Sequence, residues 1–218
     1  MIIIFLVIGG VLLAYNYYTP TENNHWENEL GSVDKIIYGN PHASCEIVII
    51  TGIHPREKLA IEPEIESAKQ FAQTHDVKLT TYQVNVTKNA TVYQLSRDNG
   101  ESLVHDYVVP DINKTHAKAV IISHSHIKGY GEGFYLATPA MDDESVNIAD
   151  KVDNMSDFNY YTTQKNKSFE STSAKLVSKP IADAGYPTFV YEIPENITEQ
   201  DSTNKTLELL EMIFNIVK

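Results

Sequence analysis

Ile47-Val48-Ile49-Ile50-Thr51-Gly52-Ile53-His54-Pro55-Arg56-Glu57 is the stretch from which the fold is read. An unbroken β-branched apolar run is a buried strand. Gly52 supplies the turn at its end. His54 and Glu57 follow, three residues apart, where a helix is expected to begin. A buried strand thus hands two metal-ligating side chains to the loop beyond it. Two later stretches have the same form. Ala119-Val120-Ile121-Ile122-Ser123-His124-Ser125-His126 is an apolar strand ending in histidines, and Pro187-Thr188-Phe189-Val190-Tyr191-Glu192 is one ending in a carboxylate. The three strand ends are expected to converge on one zinc site.

Outward from these strands, residues 35–38 and 77–86 read as further strands and 134–137 as a short one. Apolar residues at helical spacing predict helices over 57–75, with Pro63 separating or kinking the first turn, and over 202–217. Helices are also expected over 101–108, stopped by Pro110, over 142–152, and over 173–184, closed by Gly185. Residues 87–98 and 153–172 read as loops. Strands alternating with helices make an α/β domain: one three-layer unit over 34–218, its mostly parallel or mixed twisted sheet covered by helices on both faces. Ligands of such sheets gather beyond the carboxyl ends of the strands, where all three candidate segments lie.

The chain has 218 residues and a net charge of −12. That charge argues against a nucleic-acid surface, which needs clustered cations, and against binding to anionic lipid. The 42% hydrophobic content fits a globular core rather than disorder. Cys45 is the single cysteine, so no internal disulfide forms; it reads as a small apolar residue beside a strand. Arginine is scarce, only Arg56 and Arg97 against fifteen lysines. A guanidinium kept in such a chain suits recognition of a carboxylate or oxyanion.

Ile2 to Ala14 carry no polar side chain, and Tyr15, Tyr17 and Tyr18 follow. Residues 1–18 are therefore expected to be an N-terminal membrane anchor or signal segment, and 19–33 a polar tether. Asn85, Asn89, Asn113, Asn154, Asn166, Asn196 and Asn204 each open an Asn-x-Ser/Thr sequon, where roughly two would arise by chance. A domain facing outside the cell is expected.

A catalytic zinc takes three protein ligands and keeps one position for water. His54 and Glu57 supply two, and His124 is the third candidate. His126, two residues on and on the same side of an extended chain, is the fallback.

These residues resemble the zinc carboxypeptidase family, including its short relatives, the succinylglutamate desuccinylases and aspartoacylases. The resemblance rests on His54-x-x-Glu57, on His124-Ser125, and on Phe189-Val190-Tyr191-Glu192-Ile193 in that order. It implies a zinc-carboxypeptidase-like fold and one zinc per chain. It also implies hydrolysis of a peptide or amide bond, with Glu192 passing a proton from water to the leaving amine. It gives Arg97 the place of the family's oxyanion arginine and a capping role to Tyr160 or Tyr161. The family's Asn-Arg pair for the substrate carboxylate is missing; Arg97-Asp98-Asn99 is the nearest segment, so Asn99 and Arg56 join His126 as weaker substrate-binding candidates. A peptide or cell-wall peptide is the expected substrate. Two other readings stand beside this one: a non-catalytic surface binding module on the same fold, and a deacylase of N-acyl amino acids.

Overall fold

The computed structural model describes residues 23–161 and 171–218. The chain lays down β1 (Asn23–Asn28), β2 (Gly31–Gly39) and β3 (Glu46–Thr51), then a 3-10 turn (Lys58–Ala60) and α1 (Glu62–Thr74). After β4 (Lys78–Val86) comes α2 (Tyr93–Leu103), which runs on through a π-helical stretch (Val104–Val108) and a last turn (Val109–Ile112). Then follow β5 (Ala119–His126), β6 (Tyr135–Ala137), α3 (Asp143–Met155) and β7 (Asn159–Tyr161). A second π-helical stretch (Ala174–Ser178) leads into α4 (Lys179–Asp183), and β8 (Thr188–Pro194) and α5 (Glu199–Val217) complete the described chain.

All eight strands form one sheet, in the order β1-β2-β4-β3-β5-β8-β6-β7. Its centre, β4-β3-β5-β8, is parallel. The flanks are mixed: β1, β2 and β6 run antiparallel to their inner neighbours, and β7 is parallel to β6. The predicted three-layer α/β architecture is what forms. Alternation along each central strand builds two cores. Ile47, Ile49, Ile121, Phe189 and Tyr191 face α1, α3 and α5. Val48, Ile50, Val120 and Ile122 face α2 and α4.

Strand order places the site. From β3 the chain crosses on one face to β4, then returns over the other face to β5, on the opposite side of β3. The connections after β3 and those leading to β5 diverge, which makes the carboxyl ends of these two strands the topological switch point where sheets of this kind bind ligands.

Several sequence expectations are corrected. Residues 23–33 are not a tether: Asn23–Asn28 is a strand, polar as suits the edge of the described sheet, and Gly31 opens β2. Residues 93–98, expected as loop, belong to α2. That helix does not stop at Pro110. The preceding π-helical stretch widens the helix where proline's missing N–H and bulky ring would otherwise clash, and the same device precedes Pro180. Glu57 does not open a helix; the separate first turn at Lys58–Ala60 intervenes, and α1 starts with Pro63 in its first turn, where no N–H is needed. The expected loop over 153–172 contains the end of α3 and β7; 162–170 lie outside the described residues. So does the expected anchor over 1–18. No helix among the described residues is long and apolar enough to cross a membrane.

Candidate metal centre

The end of β3 is shaped by two glycines. Gly52 has φ +80°, and a Cβ there would lie 2.2 Å from the Val84 carbonyl oxygen. At Gly100 of α2 a Cβ would stand 1.7 Å from the Ile53 carbonyl oxygen. The absence of that Cβ lets α2 lie directly against the segment carrying His54. Beyond Gly52 the chain turns tightly, the Glu57 N–H donating to the His54 carbonyl at 3.0 Å. The Thr51 hydroxyl donates to the Ala60 carbonyl and ties the following turn back to β3.

This turn brings His54 and Glu57 together, and β5 delivers His124 to them. His54 Nδ1 lies 2.8 Å from Glu57 Oε1, and His124 Nδ1 lies 2.9 Å from Glu57 Oε2. The imidazole centroids are 4.5 Å apart. One ligand atom from each of the three residues lies within 4.8 Å of the others, and among the described residues no other His, Cys, Asp or Glu trio does this. All three side chains are buried.

Two more groups reach in from α2. Arg97 Nη1 donates to Glu57 Oε1 at 2.7 Å. Glu101, one helical turn on and buried, places Oε1 3.3 Å from His54 Nε2. A carboxylate behind a histidine fixes its tautomer and aims the other nitrogen forward. Sequence reasoning missed Glu101. Its one usable signal was its i+4 relation to Arg97, visible only once the helix is known to begin at Tyr93.

Two imidazole nitrogens and a carboxylate, one imidazole backed by a second carboxylate, suit a divalent metal with an open fourth position. The electrostatics agree. Burial alone would raise the Glu57 carboxyl, but His124 and His54 outweigh it and hold the group well below the usual range. Burial also opposes charge on His54, yet Glu101 and Glu57 leave its pKa raised.

Glu192 pairs across the ladder with His124 on the same face of the sheet. Burial pushes its carboxyl up to about 7, Glu57 adding to the rise while His124 and Arg97 oppose it. It is thus the carboxyl beside the trio that is poised to exchange a proton near neutrality.

The weaker candidates divide. Arg56 is exposed and stands 5.5 Å over the ring of Tyr93, and Arg97 stands 5.5 Å over the same ring. The chain's two arginines therefore share one aromatic platform at the N-terminus of α2. His126 is not brought to the trio: its Nε2 lies 2.9 Å from the Gly133 carbonyl and its ring packs against Tyr135. Asn99 is not brought there either. Two residues after Arg97 it points to another side of α2, where it donates to the Lys88 carbonyl at 2.7 Å. The Tyr160 hydroxyl meets that of Thr138 at 2.6 Å, whereas Tyr161 is exposed, 5.9 Å from the ring of Tyr135, the residue paired with Glu192.

No protein-family model matches the chain, and no curated protein sequence does. Solved structures do match. A metallo-carboxypeptidase from Burkholderia cenocepacia superposes with TM-score 0.62 at 15% identity, over 94% of this chain and 67% of that one. A Pseudomonas aeruginosa metallo-carboxypeptidase in complex with (2-guanidinoethylmercapto)succinic acid gives 0.61 at 12% identity, over 95% and 68%. The cell shape determinant Csd4 from Helicobacter pylori, tripeptide bound, gives 0.54 at 11% identity, over 85% of this chain and 55% of that one. At these identities the likeness is one of fold. The sheet that carries His54, Glu57, His124 and Glu192 is the metallo-carboxypeptidase sheet, and the chain has the fold of the zinc carboxypeptidases.

Proposed function

We propose that the protein is a zinc-dependent hydrolase of peptide or amide bonds that acts outside the cell on a short, carboxylate-bearing peptide of the cell-wall type. The observation that carries this is the meeting of His54, Glu57 and His124 beside Glu192. His54, Glu57 and His124 would hold the zinc, which would supply Lewis acidity toward the scissile carbonyl and an acidified water. Glu101, 3.3 Å from His54 Nε2, would hold a proton on that nitrogen and leave Nδ1 as the ligating lone pair when metal is bound. Glu192 takes a proton from the attacking water and returns it to the leaving nitrogen. Arg97 uses Nη1 on Glu57 and has further N–H donors for the oxygen on which charge develops.

The Arg56–Tyr93–Arg97 rim supports an anionic substrate group, since stacked guanidiniums keep their in-plane donors for a carboxylate. The tripeptide bound to the Helicobacter pylori protein supports a substrate of that size. The external location rests on the apolar run Ile2–Ala14 and on the sequons. Asn85, Asn89, Asn113, Asn154, Asn196 and Asn204 are all exposed, as glycan acceptors must be. Mass spectrometry of the protein from its native membranes checks this through glycans at those positions.

The activity is tested with zinc-loaded full-length protein and wall-derived or synthetic tripeptides, each with a free or an amidated terminal carboxylate. Wild type is expected to cleave the free acids faster. Glu192→Gln should lower the rate by roughly 10²–10⁴-fold, and Arg56→Ala should narrow the preference for the free acid. Zinc-loaded wild type that cleaves none of these peptides contradicts the proposal.

A further inference from the structure

The reverse side of the sheet carries a polar cluster that the chemistry above does not use. In the β5–β8 ladder His124 stands beside Glu192, and one step back Ser123 stands beside Tyr191. Alternation sends the first pair toward the site and the second toward α1 and α5. Glu64 of α1 lies behind them, fully buried. Its Oε2 accepts from the Ser123 hydroxyl at 2.7 Å, and its Oε1 from the Thr206 hydroxyl of α5 at 2.6 Å. The Tyr191 hydroxyl is also buried and has no hydrogen-bond partner among the described residues.

Among the described residues Glu64 enters no ion pair, and the groups acting on it are two hydroxyls. A bare carboxylate in such a place is too costly to keep, whereas a neutral carboxyl held by hydroxyls is not. Burial accordingly pushes the Glu64 carboxyl up to about 7. The retained proton is donated to the oxygen of Ser123 or Thr206, since a hydroxyl can accept as well as donate, so one of the two bonds reverses in the neutral form. Tyr191, its own ionisation opposed by burial and by Glu64, makes no hydrogen bond to the carboxyl.

We propose that Glu64 is a positioning residue: an uncharged carboxyl that ties β5 and β8 to α1 and α5 from behind, and so fixes where His124 and Glu192 stand on the working face. What it positions rests on the metal-site reading; its own protonation does not.

The groups facing it are Ser123 from β5, Tyr191 from β8 and Thr206 from α5. Of these only Tyr191 titrates, well above the usual tyrosine range, while Glu208 acts on Tyr191 rather than on Glu64. Unfolded, Glu64 loses its proton in the ordinary carboxyl range; folded, it keeps it up to about 7. Unfolding therefore releases a proton inside that window, and stability falls as pH rises through it. Glu192 adds a slope of the same sign on the other face, equal in every variant compared below.

The test compares full-length wild type with Glu64→Gln and Glu64→Leu in three measurements. In the infrared difference spectrum of wild type against Glu64→Gln, below neutrality, the carbonyl band of a protonated carboxylic acid should be lost. Melting temperature followed from about pH 5 to about pH 8 should fall more steeply for wild type than for Glu64→Gln. In chelator competition for zinc, Glu64→Gln should bind as wild type does. Folded Glu64→Leu should bind roughly tenfold more weakly, the low end of what losing an outer partner costs a metal site. Failure to lose the infrared band, or parallel melting profiles, overturns the neutral carboxyl. A folded Glu64→Leu with wild-type zinc affinity overturns the positioning role. Wild type that binds no zinc overturns the metal site and the positioning role with it, while the infrared band still reports on Glu64 alone.

Discussion

Glu57 meets four groups on two oxygens: His54 Nδ1 and the donating Arg97 Nη1 at Oε1, His124 Nδ1 and the donating Ser125 N–H at Oε2. It is the residue through which β3, α2 and β5 meet, and its ionisation is secured by the histidines it joins. Glu101 and Glu192 stand to either side with opposite assignments. Glu101 is held below the usual range because His54 outweighs the burial that would raise it. Glu192 has no such close donor among the described residues, and burial raises it to about 7. The first suits a fixed partner, the second a proton carrier. Glu101→Gln should leave the fold intact and weaken metal binding by about 10–100-fold, read by chelator competition. The pH profile should report Glu192. In the proposed mechanism hydrolysis needs its carboxylate, so kcat/KM should fall as pH drops through the group's pKa. A bound cation lowers that pKa, so the acid limb should lie below the metal-free value of about 7.

At the scale of elements, the central strands were legible and α2 was not. β3, β5 and β8 are continuous apolar runs, each with a functional side chain at or near its end, so periodicity and position agree. The segment Tyr93–Leu103 buries only Ser96, Gly100, Glu101 and Leu103. Before Leu103, small and polar side chains on its inner face give it no apolar stripe, because Arg97 and Glu101 there border the site. For the same reason Glu101 could not be found by spacing, and Arg97 could be singled out only by its scarcity and by its place in the family resemblance. β1 was hidden by the polarity of an edge strand. Gly100 shows how tightly α2 is set. Gly100→Ala should cost about 1–3 kcal/mol in denaturant unfolding. It should also loosen the metal site, because α2 must retreat from Ile53 and take Arg97 and Glu101 with it.

Across the whole molecule, the crossing of connections at β3 gathers residues from four elements at one end of the sheet, and the two faces divide the work. One face carries the trio and Glu192; the other carries the core under α1 and α5 with Glu64 set into it. Metal binding should therefore be felt globally. A ligand held only by the folded chain stabilises it by about 2.7 kcal/mol at a hundredfold excess over Kd. Zinc should raise the melting temperature in step with its concentration, and a chelator should reverse the gain.

The most direct measurement is metal content. Full-length wild type, His124→Ala and Glu192→Gln are loaded with zinc, dialysed and assayed by elemental analysis. The site described here predicts about one zinc per chain in wild type and in Glu192→Gln, which removes no ligand, and its loss in His124→Ala. Wild type that retains no divalent metal, or His124→Ala that retains it as wild type does, would contradict the assignment of His54, Glu57 and His124 as a metal centre.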